Sequence, residues 1–380
     1  MLEIRTVRPE EMNDAIALSD AVFRDSEQVS MGTAFPDVFS TSLGQSYGAF
    51  DNGKLVSFMG LVPGVIRIGQ ARVNVYLLGS VCTHTEHRGQ GYASQILERI
   101  FEHIDKAGAS LLLVSGGRSL YTRVHCLPYG QIQRFSLNAE STGQLQDSSG
   151  QLTLRELAPT DWLHLHKLAA ARTAAFEQSV FDIAKLIQSE AIVSCIKMKH
   201  RVVVAQKAGV PVAYAVIAVP NPPYTNKRTP FVVEHAGDAQ AIAMLADYAR
   251  ERYGLSEIRV AVSPHETGLL EAMAPFESKT EKNQGTVKIV SLPRLLEQLQ
   301  PYWQGHPGAA QALQSLSVEA LEEDMIRLTV HGQSFTLNPQ QVISLVFEGD
   351  LPSEADPQAA SALSALFPVP FPFTDGLNYV

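Results

Sequence analysis

A polar loop at residues 88–94, called here the phosphate loop, has the residue types and spacing of an anion-binding site. Residues 88–93 read Arg-Gly-Gln-Gly-Tyr-Ala, and the apolar residues that follow lie on one face of a helix: Ile96, Leu97, Ile100, Phe101 and Ile104. The first turn of a helix has unpaired N–H groups, and the helix dipole adds partial positive charge there. Glycine lets a ligand approach the backbone closely. The loop is therefore predicted to hold a pyrophosphate group.

The spacing of the glycines argues against two common nucleotide-binding motifs. The Gly-x-x-x-x-Gly-Lys-Ser/Thr pattern of P-loop NTPases does not occur here, and no Gly-x-Gly-x-x-Gly opens the loop. A glycine-rich helix start that binds nothing is the alternative interpretation. The strand-like run before the loop and the helix after it favour the binding site.

The composition indicates a globular protein with a large core. The chain has 380 residues, a length that predicts two to three domains, and 45% of the residues are hydrophobic. The net charge of −9 argues against nonspecific binding to nucleic acid, which favours a basic surface.

Three features predict a cytoplasmic protein. The cysteines Cys82, Cys126 and Cys195 are odd in number and far apart, so they form neither a disulfide framework nor a Cys-x-x-Cys metal site. The first residues lack the basic and apolar regions of a signal peptide. No run approaches the roughly 18 apolar residues of a membrane span. We therefore expect a reducing compartment and no membrane span.

Periodic patterns divide the chain into three units, the first of which covers residues 1–150. Strands are predicted at 2–7, 45–50, 54–62, 65–68, 71–78 and 110–114, and helices after Pro9 and after the phosphate loop. The polar stretch at 138–150 is predicted to end this unit.

The second unit, residues 151–286, repeats the element order of the first. Strands are predicted at 152–157, 201–206, 211–219 and 258–262, and a helix at 239–252 follows the strand-like run at 231–238. At the matching strand-to-helix junction, residues 234–238 read Glu-His-Ala-Gly-Asp. Two carboxylates there would repel a pyrophosphate, so we expect a degenerate copy without the phosphate site.

The third unit, residues 287–380, is smaller and ends in an apolar tail. A strand is predicted at 287–290, a hairpin at 325–337, and helices at 292–300, 339–347 and 359–367. The tail, residues 368–380, alternates prolines with large apolar residues. Exposing one such side chain costs roughly 1.5–3 kcal/mol, so the tail is expected to dock in a groove of the same protein.

The phosphate loop resembles the Arg/Gln-x-x-Gly-x-Gly/Ala signature of the GNAT acyltransferase superfamily. The whole chain resembles the enhanced-intracellular-survival-type acetyltransferases, which join an active GNAT domain, a degenerate GNAT domain and a domain similar to sterol carrier protein. The resemblance implies an α+β fold: tandem GNAT-like mixed-sheet domains, then a smaller sterol-carrier-like α+β domain. It also implies acetyl-CoA as co-substrate, a homo-oligomer, and a tail directed to the active site.

The same resemblance assigns residues to the binding of coenzyme A. The strand before the phosphate loop would pair with the pantetheine arm, and the loop amides would bind the pyrophosphate. The residues implied are Val81, Cys82, Thr83, Arg88, Gly89, Gln90, Gly91, Tyr92, Ala93, Ser94, Gly116 and Gly117.

Two catalytic groups also follow from the resemblance. Residues 116–123 match the stretch where the family has a tyrosine that protonates the departing thiolate, so Tyr121 would be the general acid. A phenol of pKa ~10 can donate to a thiolate of pKa ~8.5 once nearby cations tune it. The family's general base is the terminal carboxylate, here that of Val380, which burial must make more basic. In the alternatives Tyr121 and the tail only pack, and another carboxylate or water takes the proton.

The predicted function is acetyl transfer from acetyl-CoA to a primary amine by direct attack in a ternary complex. The acceptor is a small molecule, a peptide or a protein lysine, and a longer acyl group would fit the same motif. Asp25, Glu27 and Asp375 are candidates for a cation-accepting pocket, with solvated surface carboxylates as the alternative. His164 and His166 lie two residues apart on a predicted helix and face different directions, so no metal is expected. The alternative function is a lipid or other apolar-ligand carrier with a vestigial acyltransferase domain.

Overall fold

The computed structural model of the protein describes residues 1–140, 145, 152–222 and 228–380. Helices and strands alternate along the chain and the sheets include mixed ones, so the expected α+β class is confirmed. The boundary expected at residue 150 lies outside the described residues. Within the described ranges, no helix combines the length and the apolar character needed to cross a membrane.

The elements are numbered in chain order. The first part contains β1 (Leu2–Thr6), α1 (Met12–Phe23), α2 (Met31–Ala34), β2 (Tyr47–Asp51), β3 (Lys54–Ile68), β4 (Ala71–Thr83), α3 (Tyr92–Lys106), β5 (Leu111–Val114), α4 (Ser119–Thr122) and β6 (Ile132–Asn138). The middle part contains β7 (Leu152–Glu156), α5 (Trp162–Ala170), β8 (Ala174–Phe176), α6 (Val180–Ser189), α7 (Ala191–Ser194), β9 (Met198–Lys207), β10 (Val210–Pro220), β11 (Phe231–Gly237), α8 (Ala239–Arg252), β12 (Glu257–Val262), α9 (Thr267–Met273), β13 (Glu277–Glu281) and β14 (Thr286–Ile289). The last part contains α10 (Leu292–Trp303), α11 (Ala309–Ser315), β15 (Leu316–Ala320), β16 (Ile326–Val330), β17 (Gln333–Leu337), α12 (Pro339–Glu348) and α13 (Pro357–Ser364).

The described strands form three sheets, and the two larger ones are built alike. The first sheet has the order β1-β2-β3-β4-β5-β14, and β8 pairs with the far end of β3. The second has the order β7-β9-β10-β11-β12-β6-β13, and the third β15-β16-β17. Each large sheet contains one parallel pair joined through a helix, β4 with β5 and β11 with β12. The phosphate loop follows β4, and the Glu-His-Ala-Gly-Asp sequence lies at the equivalent end of β11.

The two large sheets exchange a strand with each other. Although β6 precedes the second unit in the chain, it pairs with β12 and β13 of the second sheet. The strand expected to open the third unit, β14, pairs with β5 of the first sheet. All four residues of β5 are buried, so its edge needs a cover, and β14 supplies one. The chain therefore crosses between the two sheets four times: near Tyr129, before and after β8, and near Asn283.

Helices cover both faces of the first sheet. Side chains alternate along β4, so that Val75 and Leu77 point to one face, and Tyr76 and Leu78 to the other. The apolar stripe of α3 packs against the face of Tyr76 and Leu78, as its spacing predicted. On the opposite face, α10 and the third unit share one core with β4 and β5. The third unit thus supports the sheet that carries the phosphate loop.

One long strand, β3, lies where the sequence predicted two. The predicted break near Pro63 and Gly64 is wrong, because β3 pairs with β4 through this point and Pro63 lies opposite Tyr76. On its other side, β3 pairs with β2 only up to Met59 and with β8 only from Ile66. Proline has no N–H group to pair, so it is tolerated on such an unpaired stretch.

The shared core predicts a large effect of a substitution in α10. Leu299 is 0% exposed and lies in the core that joins the third unit to the first sheet. We expect Leu299→Ala to lower the free energy of unfolding by about 2–5 kcal/mol, because the lost methyl groups leave a cavity. Urea denaturation followed by tryptophan fluorescence measures this change. The control Leu163→Ala, at a site 74% exposed, should change stability little. Equal losses in the two variants would contradict the shared core.

Candidate active site

A bulge in β4 precedes the phosphate loop. Gly79 pairs with Gly60 of β3 and Cys82 pairs with Phe58, so two residues of β4 oppose a single residue of β3. One of the two, Ser80, has a φ of +50°, and its buried hydroxyl has no hydrogen-bond partner among the described residues. Such a backbone conformation costs free energy and is held by the surrounding sheet. Strained residues of this kind concentrate at functional sites.

The parallel strands β4 and β5 separate at this bulge and leave a groove between them. Their pairing ends at Leu78 and Val114, one residue before Gly79. Beyond that point the edge of β4 at residues 79–83 faces none of the described strands. Its backbone groups are available to a ligand, apart from the carbonyl oxygens of Cys82 and Thr83, which accept hydrogen bonds from Ser57 and Arg88. The phosphate loop lies just past the end of β4, and residues 115–121 continue from β5 on the other side.

The phosphate loop has the geometry of an anion site. Gly89 and Gly91 have φ angles of +77° and +78°, which glycine adopts without strain, and Gly91 is the N-cap of α3. Ala93 and Ser94 belong to the first turn of that helix. None of the N–H groups at 89–94 donates a hydrogen bond to the described residues. A β-carbon on Gly89 would meet no atom within 4 Å, so these donors border open space where an anion is attracted.

Side-chain contacts support the shape of the loop. The Nε group of Arg88 donates to the carbonyl oxygen of Thr83 at 3.3 Å, which joins the loop to the end of β4. The hydroxyl of Tyr92 donates to the side-chain oxygen of Gln90 at 2.6 Å. The loop is therefore braced at both ends while its amides stay exposed.

The three residues at the end of β4 face the groove with their backbone. Cys82 is buried, its sulfur lies 3.5 Å from the Ser19 hydroxyl, and burial raises the pKa of the thiol to about 11. The Thr83 hydroxyl lies 2.8 Å from that of Ser57, and Val81 is half-buried against the core under α3. Since these side chains pack inside the protein, the backbone is what a ligand would contact here.

Gly116, Gly117 and Tyr121 lie across the groove, beyond the end of β5. The carbonyl oxygen of Gly116 accepts a hydrogen bond from the Thr286 hydroxyl at 3.0 Å, and a β-carbon on Gly116 would lie 3.6 Å from the ring of Tyr121. Tyr121 is 5% exposed. Burial raises its pKa to about 12, and the positive charge of Arg118 acts in the opposite direction. The phenol is therefore protonated throughout the neutral pH range.

The tail reaches the same groove after contacting all three units. Phe371 packs edge-to-face on Phe347 and on Tyr129, with centroid distances of 5.0 and 5.7 Å. Further along, Leu377 is buried in a core of the second unit. The tail is thus held by packing along its length before it ends at the first sheet.

The last residue, Val380, lies directly on the bulge of β4. A β-carbon on Gly79 would overlap the terminal carboxyl carbon and lie 2.7 Å from a carboxyl oxygen. The ring of the neighbouring Tyr379 packs 6.3 Å from that of Phe35, and Tyr379 lines a small cavity together with Ser115, which follows β5. Burial raises the pKa of Tyr379 to about 12. The terminal carboxylate therefore occupies the space that a side chain at position 79 would fill.

A pocket of about 240 Å³, called here the acidic pocket, opens beside Val380. Its walls come from the unpaired part of β3 at 62–65, the loop at 34–43, the second unit at 176–191 and the end of the tail. Phe35 and Phe176 give it apolar surface. Residues of the first unit, of the second unit and of the tail therefore build this pocket together.

Three carboxylates line the acidic pocket, and each has a cationic partner. The Nζ atom of Lys185 lies 2.6 Å from Asp37 and 3.5 Å from Asp182, and Arg72 pairs with Glu177 at 3.1 Å. All these side chains are more than one-third exposed, so water screens the pairs and each contributes little to stability. The terminal carboxylate adds a further negative charge. Four negative charges, from Asp37, Glu177, Asp182 and the terminal carboxylate, thus outnumber the two positive charges of Lys185 and Arg72, and this balance favours a cationic ligand.

The acidic residues singled out from the sequence lie elsewhere. Asp25 and Glu27 pair with Lys197 at an exposed loop, and Asp375 is in the tail, where burial raises the pKa of its carboxyl group. None of the three lines the acidic pocket. Of the carboxylates that do so, Asp37 is far in the chain from Glu177 and Asp182, and no spacing pattern connects it with them.

The matching junction of the second sheet is arranged differently. Glu234, near the end of β11, forms an ion pair with Arg172 and accepts a hydrogen bond from the N–H of Leu377 at 3.3 Å. Asp238 caps α8 by accepting the N–H of Ala241 at 2.9 Å. Two carboxylates here would repel a phosphate, which is the physical basis for predicting no coenzyme A site in the second unit.

The histidines singled out from the sequence do not gather metal ligands around them. His164 and His166 are both on α5. Within the part of the chain that the structure describes, no group of three or more His, Cys, Asp or Glu side chains could hold a metal ion.

Comparison with protein families identifies the class of the first part of the chain. Residues 3–124 match the acetyltransferase (GNAT) domain family. This range contains β1 to β5, the phosphate loop and Tyr121. The chain therefore carries a GNAT acetyltransferase domain, which makes it a transferase.

Solved structures extend the likeness of fold over the whole chain. A GCN5-related N-acetyltransferase from Anabaena variabilis is 14% identical, with 98% of this chain and 99% of that chain covered and a TM-score of 0.64. One from Kribbella flavida is 12% identical, with 100% and 98% covered and a TM-score of 0.63. Eis1 from Mycobacterium abscessus is 13% identical, with 96% and 97% covered and a TM-score of 0.61. No curated protein matches the chain.

The contact between Gly79 and Val380 predicts that a methyl group at position 79 displaces the tail. We expect Gly79→Ala to expose the terminus, because the new β-carbon would overlap the carboxyl group. Timed digestion with carboxypeptidase, followed by intact mass, should show faster loss of Val380 than in the unmodified chain. Gly268→Ala is the control, since its β-carbon would lie 3.6 Å from the nearest atom, an ordinary contact. Equal digestion of Gly79→Ala and the unmodified chain would show that the tail is not held there.

Proposed function

We propose that the protein is an acetyl-CoA-dependent N-acetyltransferase that transfers the acetyl group to a primary amine within a ternary complex. The observation that carries this proposal is the order of three features along β4. The unpaired amides of the phosphate loop follow the strand, residues 79–83 have no strand partner on the β5 side, and the terminal carboxyl group lies on Gly79 beside the acidic pocket. This order offers separate places for an anionic donor and a cationic acceptor.

Coenzyme A would bind along the phosphate loop and the edge of β4. The N–H groups at 89–94 would hold the pyrophosphate, with Arg88 beside them. Residues 81–83 would pair through their backbone with the pantetheine arm, and Gly116 and Gly117 would border it on the other side. The open space at Gly89 and the unpaired strand edge support this fit. Acetyl-CoA supplies the acetyl group as an activated thioester.

The acceptor amine would enter through the acidic pocket. Its carboxylates attract the ammonium form, while Phe35 and Phe176 cover the apolar part of the acceptor. An ammonium group must lose a proton before its nitrogen can attack. The carboxylate of Val380, at the inner end of the pocket, would take that proton. Holding both substrates in one groove supplies much of the rate through orientation.

Tyr121 would protonate the sulfur of the leaving coenzyme A. Burial raises the pKa of Tyr121 to about 12, so the phenol is protonated before the reaction, and the positive charge of Arg118, which lowers that pKa, favours donation once the thiolate forms. A backbone N–H of β4 near the bulge would stabilise negative charge on the thioester oxygen. The acid and the base would thus act from opposite sides of the groove.

The alternative of an apolar-ligand carrier has less support. Apolar side chains of the third unit, Leu299 and Trp303 among them, pack into the core shared with the first sheet. A longer acyl group or a protein lysine as acceptor would use the same groove and stays within the proposal.

The domain organisation and setting are proposed on the resemblance. Residues 1–150 would be the catalytic GNAT domain, 151–286 a degenerate GNAT-like domain, and 287–380 a sterol-carrier-like domain with the tail. The free thiols of Cys82, Cys126 and Cys195 fit a cytoplasmic location. Assembly into a homo-oligomer is proposed on the resemblance alone.

Binding of acetyl-CoA is predicted to raise the melting temperature, because a ligand that binds the folded state stabilises it. Gly91→Glu should abolish the shift, since it puts a carboxylate among the N–H donors. Gly108→Glu is the matched control: Gly108, just past the other end of α3, also has positive φ, +74°, and open space around it. Differential scanning fluorimetry measures all three proteins. The cofactor assignment fails if the unmodified protein shows no shift.

Tyr121→Phe is predicted to lower kcat by about 10²–10⁴-fold and to leave acetyl-CoA binding unchanged, because it removes only the proton donor. Release of free coenzyme A thiol is measured with a panel of lysine amide, spermidine, tryptamine and kanamycin. Tyr253→Phe, in the second unit, is the control: it removes a tyrosine hydroxyl far from Tyr121 in the chain and should leave kcat unchanged. Normal turnover by Tyr121→Phe would exclude the tyrosine as general acid.

A further inference from the structure

The position of the terminal carboxylate depends on how the tail is held. The tail follows α13 and has no helix or strand of its own. Its last residue is restrained by a covalent bond on one side only. Fixed contacts upstream must therefore determine where the carboxylate lies.

Asn283 holds the middle of the tail. It is 6% exposed, its Nδ2 donates to the carbonyl oxygen of Pro372 at 3.0 Å, and its Oδ1 accepts the N–H of Thr374 at 3.2 Å. The hydroxyl of Thr374 lies 3.0 Å from the same Oδ1 and accepts a hydrogen bond from Tyr129 at 3.0 Å. A carbonyl only accepts and an N–H only donates, so the network determines the orientation of the amide.

This first anchor lies where the chain crosses between the two large sheets. Asn283 is in the turn from β13 to β14, Tyr129 precedes β6, and the N–H of Asn283 donates to the carbonyl oxygen of Tyr129 at 3.1 Å. The neighbouring Gly285 has a φ of +80°, and a β-carbon on it would overlap the carbonyl oxygen of Val114. The connection from β5 to β6 and the connection from β13 to β14 therefore meet at the point that holds the tail.

Glu234 holds the tail nearer its end. Its Oε2 accepts the N–H of Leu377 at 3.3 Å, and its ion pair with Arg172 is largely buried. Gly376 makes room for this contact, since a β-carbon there would lie 2.9 Å from Glu234 Oε2. Glu234 is one of the two carboxylates that make the end of β11 unsuitable for a phosphate, and here it binds the backbone of the tail.

Chain length determines how closely each anchor restrains the carboxylate. An extended chain spans at most about 3.6 Å per residue, so Val380 lies within roughly 11 Å of an anchor at Leu377 and within roughly 22 Å of one at Thr374. Both anchors together leave the last residues little freedom.

We propose that Asn283 and Glu234 are positioning residues that place the Val380 carboxylate at the inner end of the acidic pocket. The second unit would then support a catalytic group. It would do so near the end of β11, the position equivalent to the end of β4, where the first sheet has its anion site. This inference rests on the function proposed above.

Carboxypeptidase digestion tests the anchors without any acceptor. We expect Asn283→Ala and Glu234→Ala to lose Val380 faster than the unmodified chain. Thr374→Ala tests the same anchor from the tail side, because it removes the hydroxyl contact and leaves Asn283 in place. It should also lose Val380 faster, and it serves as the test if Asn283→Ala does not fold. Glu234→Gln keeps a side-chain oxygen that accepts the N–H of Leu377, so it should restore resistance. Unchanged digestion of Glu234→Ala and Thr374→Ala overturns the proposal.

Steady-state kinetics with acetyl-CoA and the amine panel separate positioning from general destabilisation. We expect Asn283→Ala and Glu234→Ala to lower kcat at least about tenfold with little change in the KM for acetyl-CoA, and Glu234→Gln to recover most of the loss. In a chain lacking Tyr379 and Val380, Asn283→Ala should lower kcat no further, because both changes remove the same group. If Asn283→Ala lowers kcat by the same factor in the shortened chain as in the full chain, its role is structural and the proposal is overturned. Failure of acetyl-CoA to stabilise the unmodified chain would instead refute the proposed function.

Discussion

The separation of β4 from β5 beyond Leu78 and Val114 is the constraint on which the site depends. Continued parallel pairing would consume the backbone groups at 79–83 and close the groove. The bulge with Ser80 at positive φ ends that pairing, and the missing side chain at Gly79 leaves space for the terminal carboxyl group. The strain at Ser80 is local, whereas the sheet that holds it is covered on both faces. One extra residue in a strand thus provides a strand edge and a place for Val380.

Local features of the fold could be predicted from the sequence, and pairing between distant segments could not. The stripe of α3, the helix at 239–252 and the hairpins follow from short-range periodicity and turn residues, so the structure has them close to where they were predicted. The strand pattern around Val287 indicated β14 correctly, but nothing in it distinguishes the first sheet from the third. The pocket carboxylates Asp37 and Asp182 were missed for the same reason. They are brought together by packing between units, which leaves no spacing signal.

The ends of β4 and β11 show two uses of one position in a sheet. After β4, glycines at positive φ leave N–H donors unpaired at a helix start, an arrangement that attracts anions. At β11, Glu234 supplies an acceptor instead, and its partners are the Arg172 guanidinium and a backbone N–H of the tail. Because the end of β4 offers hydrogen-bond donors and the end of β11 offers an acceptor, the first position favours an anion and the second favours a group that donates hydrogen bonds. A peptide backbone, which offers N–H groups, suits the second junction as a phosphate suits the first.

A tail held by packing and hydrogen bonds must offset the entropy of ordering its own residues. Fixing the backbone costs roughly 1–2 kcal/mol per residue, whereas a buried Phe371 or Leu377 side chain contributes about 1.5–3 kcal/mol. These opposing contributions are similar in size, so docking depends on a few specific contacts rather than on a large surplus. Asn283 adds two hydrogen bonds to the tail backbone at a buried position, where an unpaired carbonyl or N–H would itself be costly. The catalytic geometry proposed for Val380 is therefore sensitive to residues far from the reacting atoms.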